Sequence, residues 1–176
     1  MATTSISFWT AARSRVGGWS NHEFLFRCLV AALAVAVCYQ FRWDWLRYLT
    51  SEFNLRLDAL LGLHWQRLTF DTAAWNGHVY TYVIACTMAD VWCGALAFVW
   101  IIGRSIASNL LTLAGFTFAL FGLNVTRLSL SDFLCAHGAS WNLGHNVIAG
   151  ICYFLIWEWL LWHRRRYGQD ESGQAA

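Results

Sequence analysis

Four apolar stretches, at about 24–41, 86–102, 109–126 and 145–162, each approach the length of a bilayer crossing, and their polar residues collect at the ends. A hydrocarbon core of about 30 Å takes about 20 helical residues, with about 17 as a minimum. Composition points the same way: 58% of the 176 residues are hydrophobic and only 12% are charged, where a soluble domain carries about 25% charge. A chain of this length that crosses four times has no room for a separate soluble catalytic domain. The expectation is an all-α integral membrane protein, one domain over 1–176, with any chemistry performed at the membrane.

All 12 cations are arginine, and most sit near the ends of the apolar stretches. With a net charge of only +2, they read as topology signals rather than as a nucleic-acid footprint. Arg13 and Arg15, then Arg104, then Arg164, Arg165 and Arg166 fall on alternate flanks of four crossings. The positive-inside rule therefore places both termini in the cytoplasm, with the protein in the cytoplasmic membrane. Arg13 and Arg15 before an apolar run imitate a secretory signal, but no small-residue cleavage site closes it, and Val37 before Cys38 breaks a lipobox. The segment reads as a retained first helix, with Arg27 reaching toward the headgroups. The six cysteines form no CxxC pair, and most lie in apolar runs as small hydrophobes, which argues against a disulfide framework.

Between the first two stretches the pattern changes. Over 43–63, Asp44, Arg47, Glu52, Arg56 and Asp58 interleave with Leu49, Phe53, Leu57, Leu60 and Leu61 at helical spacing, which predicts an amphipathic helix on the outer membrane surface. Over 67–84, partial alternation around Asn76-Gly77 predicts a small β-hairpin, so outer-face elements fill 43–85. The third stretch opens at Asn109 as a helix cap and closes at Asn124, Thr126 and Arg127. A polar loop with Ser131, Asp132, His137 and Asn142 leads to His145 at the start of the last stretch.

Following this path, Cys86 starts the second crossing outside, Arg127 ends the third outside and His145 starts the fourth outside. Three separate helices deliver them to one membrane face. A thiol at a helix N-terminus meets unpaired N–H groups and the positive end of the dipole, both favouring thiolate. A histidine can take its proton and return it to a leaving amine. An arginine, always charged, suits an oxyanion, and one at membrane depth is costly unless it serves a purpose. Taken singly, Cys86 reads more readily as packing, Arg127 equally as a snorkelling cation and His145 more readily as an interface residue; their convergence favours a site.

These local sequences resemble the exosortase and archaeosortase family of membrane cysteine transpeptidases. The resemblance rests on Ala85-Cys86-Thr87 after a hairpin-like approach, on Asn124-Val125-Thr126-Arg127 at the end of an apolar helix, and on His145 followed by Gly150 and Phe154. The order Cys, Arg, His and the 41-residue step from Cys86 to Arg127 also look like the family, over about 60–162. Met88 stands where many members have Gly, and few spans precede the core. The resemblance implies cleavage of a C-terminal sorting signal of exported proteins, a short motif with a membrane helix and a basic cluster, and transfer of the new carboxyl group to an acceptor of unknown identity. Cys86 would form the thioester, Arg127 would stabilise the oxyanion, His145 would shuttle the proton and Asn124 would orient Arg127, with no cofactor or metal.

Two other readings stand beside this one. In the first, the chain is a non-catalytic membrane module that binds a partner helix, and Cys86 is packing. In the second, Cys86 and Cys93 serve metal or redox chemistry with His137 or His145, although seven residues along a helix separate the sulfurs by about 10 Å, too far to share one ion.

Overall fold

The structure is a computed structural model that describes residues 21–173. Arg13 and Arg15, on which part of the topology argument rests, lie outside the described residues. The chain runs as α1 (Asn21–Cys38), α2 (Asp44–Leu60), β1 (Gln66–Arg67), β2 (Thr72–Trp75), β3 (His78–Thr81), a 3-10 turn (Ile84–Thr87), α3 (Ala89–Val99), α4 (Ile106–Ala136), a π-helical turn (Asn142–Val147) and α5 (Ile148–Gly173).

The predicted hairpin is present. Strands β2 and β3 pair antiparallel with Trp75 opposite His78, and Asn76 and Gly77 both take left-handed φ, 47° and 80°. A two-residue loop with positive φ at both positions matches the twist of the strands it joins. Strand β1 adds a third, two-residue edge through the pairs Gln66–Ala74 and Arg67–Ala73; a segment so short carries no alternation to read. Arg47 anchors the sheet to α2 by pairing with Asp71 and donating to the Tyr82 carbonyl at 2.7 Å.

The second apolar stretch departs from expectation. Instead of one helix over 86–102, α3 has 11 residues, about 16 Å of rise and too short to cross by itself. Met88 before it is left-handed at φ 54°, and Trp100 after it is extended. The backbone where α3 stops is satisfied by side chains from two other helices. Arg27 hydrogen-bonds the carbonyls of Ala97 and Trp100, and Asn109 Nδ2 donates to the Ile101 carbonyl at 2.9 Å while its Oδ1 accepts from the Ile101 N–H at 3.1 Å. Arg27 is therefore buried and turned inward, not toward headgroups. Asn109 is a brace rather than a cap; the cap of α4 is Ser105, whose hydroxyl accepts from the Ser108 N–H at 3.3 Å.

Helix α4 is longer than the third stretch predicts, 31 residues to Ala136, so Ser131 and Asp132 are helical rather than in a loop, and Arg127 lies within the helix. Among the described residues two helical segments are long and apolar enough to cross a membrane, Ile106–Ala136 and Asn142–His163. Only 17% and 22% of their most apolar windows are buried inside the protein, unlike the core helices of soluble domains.

Helix α2 turns a polar stripe inward. It buries Thr50, Ser51, Asn54 and Asp58 and exposes Trp45, Phe53 and Leu60. Its polar stripe thus faces the protein, the reverse of a surface helix whose polar face meets water. Phe26, Ile106, Leu111, Phe118 and Phe154 are likewise exposed, an apolar extent that ordinary soluble surfaces do not show. The apolar core, around Met88, Ala95, Val99, Phe116 and Leu160, joins α1, α3, α4 and α5.

Candidate active site

Cys86 sits in the 3-10 turn, one turn before α3 rather than at its first position, and its N–H donates to the Val83 carbonyl at 2.9 Å. It is 4% exposed and packs with Tyr82 and Leu128. Two residues on, Met88 is fully buried in its left-handed conformation. That conformation costs a residue with a Cβ about 1–2 kcal/mol, so the turn bearing the thiol is held by its surroundings. A glycine there would carry no such cost.

Asn124 and Arg127 lie three residues apart on α4, which places them on one face. They are 0% and 3% exposed. Asn124 Nδ2 donates to the Cys86 carbonyl at 2.8 Å, and its Oδ1 accepts from Arg127 Nε at 3.1 Å. The Arg127 guanidinium also donates to the Ala85 carbonyl at 3.4 Å. The amide does both halves of Asn124's task with separate atoms, giving a hydrogen from its nitrogen and accepting one at its oxygen.

His145 lies in the π-helical turn. Its ring stacks on Trp141 at 4.8 Å and meets Tyr80 edge to face at 6.1 Å. Its Nδ1 is enclosed without a hydrogen-bond partner. Gly144 explains how the turn comes so close to α4: a Cβ there would lie 2.8 Å from Cys135 Sγ and 3.2 Å from the Ser131 carbonyl oxygen.

Tyr80 links the parts. Its hydroxyl shares a 3.3 Å hydrogen bond with Cys86 Sγ, and its ring touches His145, Trp141 and Tyr82. Burial, then the adjacent Cys86, push its phenol well above the ordinary value, so Tyr80 remains a neutral donor able to stabilise a thiolate. Sequence reading assigned Tyr80 only to the hairpin. The available signal was strand alternation, which puts Tyr80 and Tyr82 on one face just before Cys86.

Beneath Tyr82 lies a buried polar cluster absent from the sequence expectations. Asn54 Nδ2 is within 2.9 Å of Tyr82 Oη and of Asp132 Oδ2 and 3.1 Å of Asp58 Oδ2, while Ser129 Oγ donates to Asn54 Oδ1 at 3.0 Å. Burial, then the neighbouring Asp132 carboxylate, push Asp58 up to about 8. Asp90, one helical turn after Cys86, accepts from the Tyr39 hydroxyl at 3.0 Å. All six cysteines are free, and among the described residues no three His, Cys, Asp or Glu side chains gather to hold a metal ion.

The structure thus joins Cys86, Asn124 and Arg127 through direct hydrogen bonds and brings His145 against the tyrosine that contacts the thiol. Such a group offers a thiol, a fixed cation bonded to the carbonyl of the residue before it and a nitrogen with a free hydrogen-bonding position. No family model, curated protein or solved structure matches this chain.

Proposed function

We propose that the chain is a membrane cysteine transpeptidase or protease that processes C-terminal sorting signals of exported proteins at the outer face of the cytoplasmic membrane. The observation that carries this reading is the Asn124 side chain, which ties the Cys86 backbone to Arg127. It holds a cation against the backbone of the turn that bears the thiol, where a buried charge is costly unless it is paired and hydrogen-bonded.

In this mechanism the Cys86 thiol yields its proton toward His145, and sulfur attacks the scissile carbonyl while Tyr80 donates to the sulfur. The carbonyl oxygen becomes an oxyanion next to Arg127. Collapse re-forms the carbonyl and breaks the C–N bond, with the proton held by His145 passing to the leaving amine. The thioester on Cys86 is then attacked by an acceptor nucleophile, or by water, whose proton returns through His145 as the thiol is released.

The second of the four crossings would be a short one: the 11 helical residues of α3 and the two non-helical residues after it, Trp100 and Ile101, together reach about 23 Å, and Arg27 and Asn109 supply hydrogen bonds that lipid cannot. Counting about 20 residues from Ile106 consumes the hydrocarbon thickness near Val125, leaving Arg127 and Asp132 at or above the outer boundary. Substrate would enter laterally through lipid.

The test is trapping with hydroxylamine, a small nucleophile that intercepts thioesters. Membranes containing the native chain should release substrate ending in a hydroxamate, and membranes with Cys86→Ala should not; a hydroxamate formed equally in both contradicts the reading. The burial of Cys86 against Tyr82 and Leu128 favours a second reading, a non-catalytic module that binds a partner helix, in which Cys86→Ala has no biochemical consequence.

A further inference from the structure

Between the sheet, the last turns of α4 and the loop before the π-helical turn is a cavity of about 470 Å³. Its walls include Trp65, Trp75, Tyr80 and Trp141, with Asp132 reaching it from α4. Neighbouring wall rings are 5.8 Å (Trp65–Trp75), 6.4 Å (Trp65–Tyr80) and 5.4 Å (Tyr80–Trp141) apart, so they form a continuous aromatic lining. No arginine lines it, which disfavours an anion. A sugar would need hydrogen-bonding partners around its whole ring, but the Tyr80 hydroxyl is engaged by Cys86, and the lining otherwise offers Asp132, His78 and the buried indole N–H of Trp65. A cation satisfies both the ring faces and the carboxylate, and aromatic enclosures next to an acid are how organic ammonium groups are held. Asp132 and Asp58 both reach Asn54 Nδ2 in the buried cluster, and two carboxyls that close share a proton and keep one negative charge between them.

We infer that this cavity binds a compact organic ammonium group, carried by a soluble amine or by a lipid headgroup. The inference stands on the cavity and its lining and does not require the thiol to be catalytic.

The experiment is calorimetric titration of the purified full chain with choline and with its uncharged isostere 3,3-dimethyl-1-butanol. Measurements are repeated in nanodiscs of phosphatidylglycerol alone or with added phosphatidylcholine or phosphatidylethanolamine. Choline should bind at least tenfold more tightly than the isostere, and Asp132→Asn and Trp75→Leu should each weaken it at least tenfold while circular dichroism stays native. Trp75 lies in the hairpin, away from the Asn54 cluster, so Trp75→Leu keeps the test decisive if Asp132→Asn fails to fold. Competition by phosphatidylcholine or phosphatidylethanolamine, absent with phosphatidylglycerol, assigns the site to a headgroup; equal choline binding in all nanodiscs assigns it to a soluble amine. Choline bound no better than the isostere, or bound normally by either folded variant, overturns the inference. Because only binding is read, the same titration on Cys86→Ala separates its failure from failure of the transpeptidase reading.

Discussion

Asn124 reaches across 38 residues of sequence to hold the carbonyl of Cys86, at 2.8 Å, and does so with the same side chain that accepts from Arg127. One buried amide therefore sets both where the thiol's backbone lies and where the guanidinium points. Asn124→Asp keeps the shape but sets a carboxylate oxygen against the Cys86 carbonyl oxygen. Loss of a buried partner of this kind costs about 1–3 kcal/mol, so the thermal midpoint should fall and turnover should drop at least tenfold. Unchanged turnover with native stability would separate Asn124 from the chemistry.

Tyr80→Phe deletes one oxygen and leaves the ring contacts with His145, Trp141 and Tyr82 in place. Stability should change little, because the lost bond is a single neutral one worth about 1 kcal/mol. Thioester formation should slow about tenfold or more, as seen in single-turnover rates. A rate equal to native would mean that the 3.3 Å contact to Cys86 Sγ is packing alone.

Gly144→Ala tests how closely the π-helical turn must approach α4. The added methyl would meet Cys135 Sγ and the Ser131 backbone, and backbone cannot move aside as a flexible side chain can. Overpacking of this kind costs about 1–3 kcal/mol, and displacement of His145 should lower turnover about a hundredfold. Cys135→Ala in the same chain should restore part of the loss, since it removes the nearer of the two obstructions; no restoration would place the cause elsewhere.

Stability should fall as pH rises from about 4 to about 8. Asp58 is held near 8 in the folded protein by burial and then by Asp132, against about 3.9 in an unfolded chain. The native state therefore binds the proton more tightly, and its contribution is complete below pH 4 and is lost as pH climbs through about 8. The groups facing Asp58 include Asn54 and Asp132. Asp58→Asn keeps a neutral side chain of the same shape, so its denaturation curves at pH 5, 7 and 9 should be flatter than native. Identical slopes for the two chains would remove Asp58 as the source.

What was legible in the sequence follows from where isolated polar residues stand. Asn124, Arg127 and His145 were visible because each interrupts or bounds an apolar run, and Asn76-Gly77 because a two-residue turn with positive φ leaves little choice of residue. The length of α3 was not visible: no Pro or Gly follows Val99 directly, and the helix stops where Arg27 and Asn109, distant in sequence, take over its hydrogen bonds. Helical periodicity revealed the two faces of α2 but not which one is buried, because that depends on whether the surroundings are water or lipid. Tyr80 escaped because tyrosine in a strand is ordinary, and only the fold brings its hydroxyl to Cys86.

The most direct measurement is a survey of the C-terminal peptides of envelope proteins from cells carrying the native chain or Cys86→Ala at equal abundance. The account predicts a set of proteins that keep their hydrophobic C-terminal tails only in the variant, and whose new C-termini in native cells lie just before those tails. Matching surveys, with tail-bearing proteins demonstrably expressed in both, would contradict a nucleophilic role for Cys86 and leave the helix-binding module as the account of this fold.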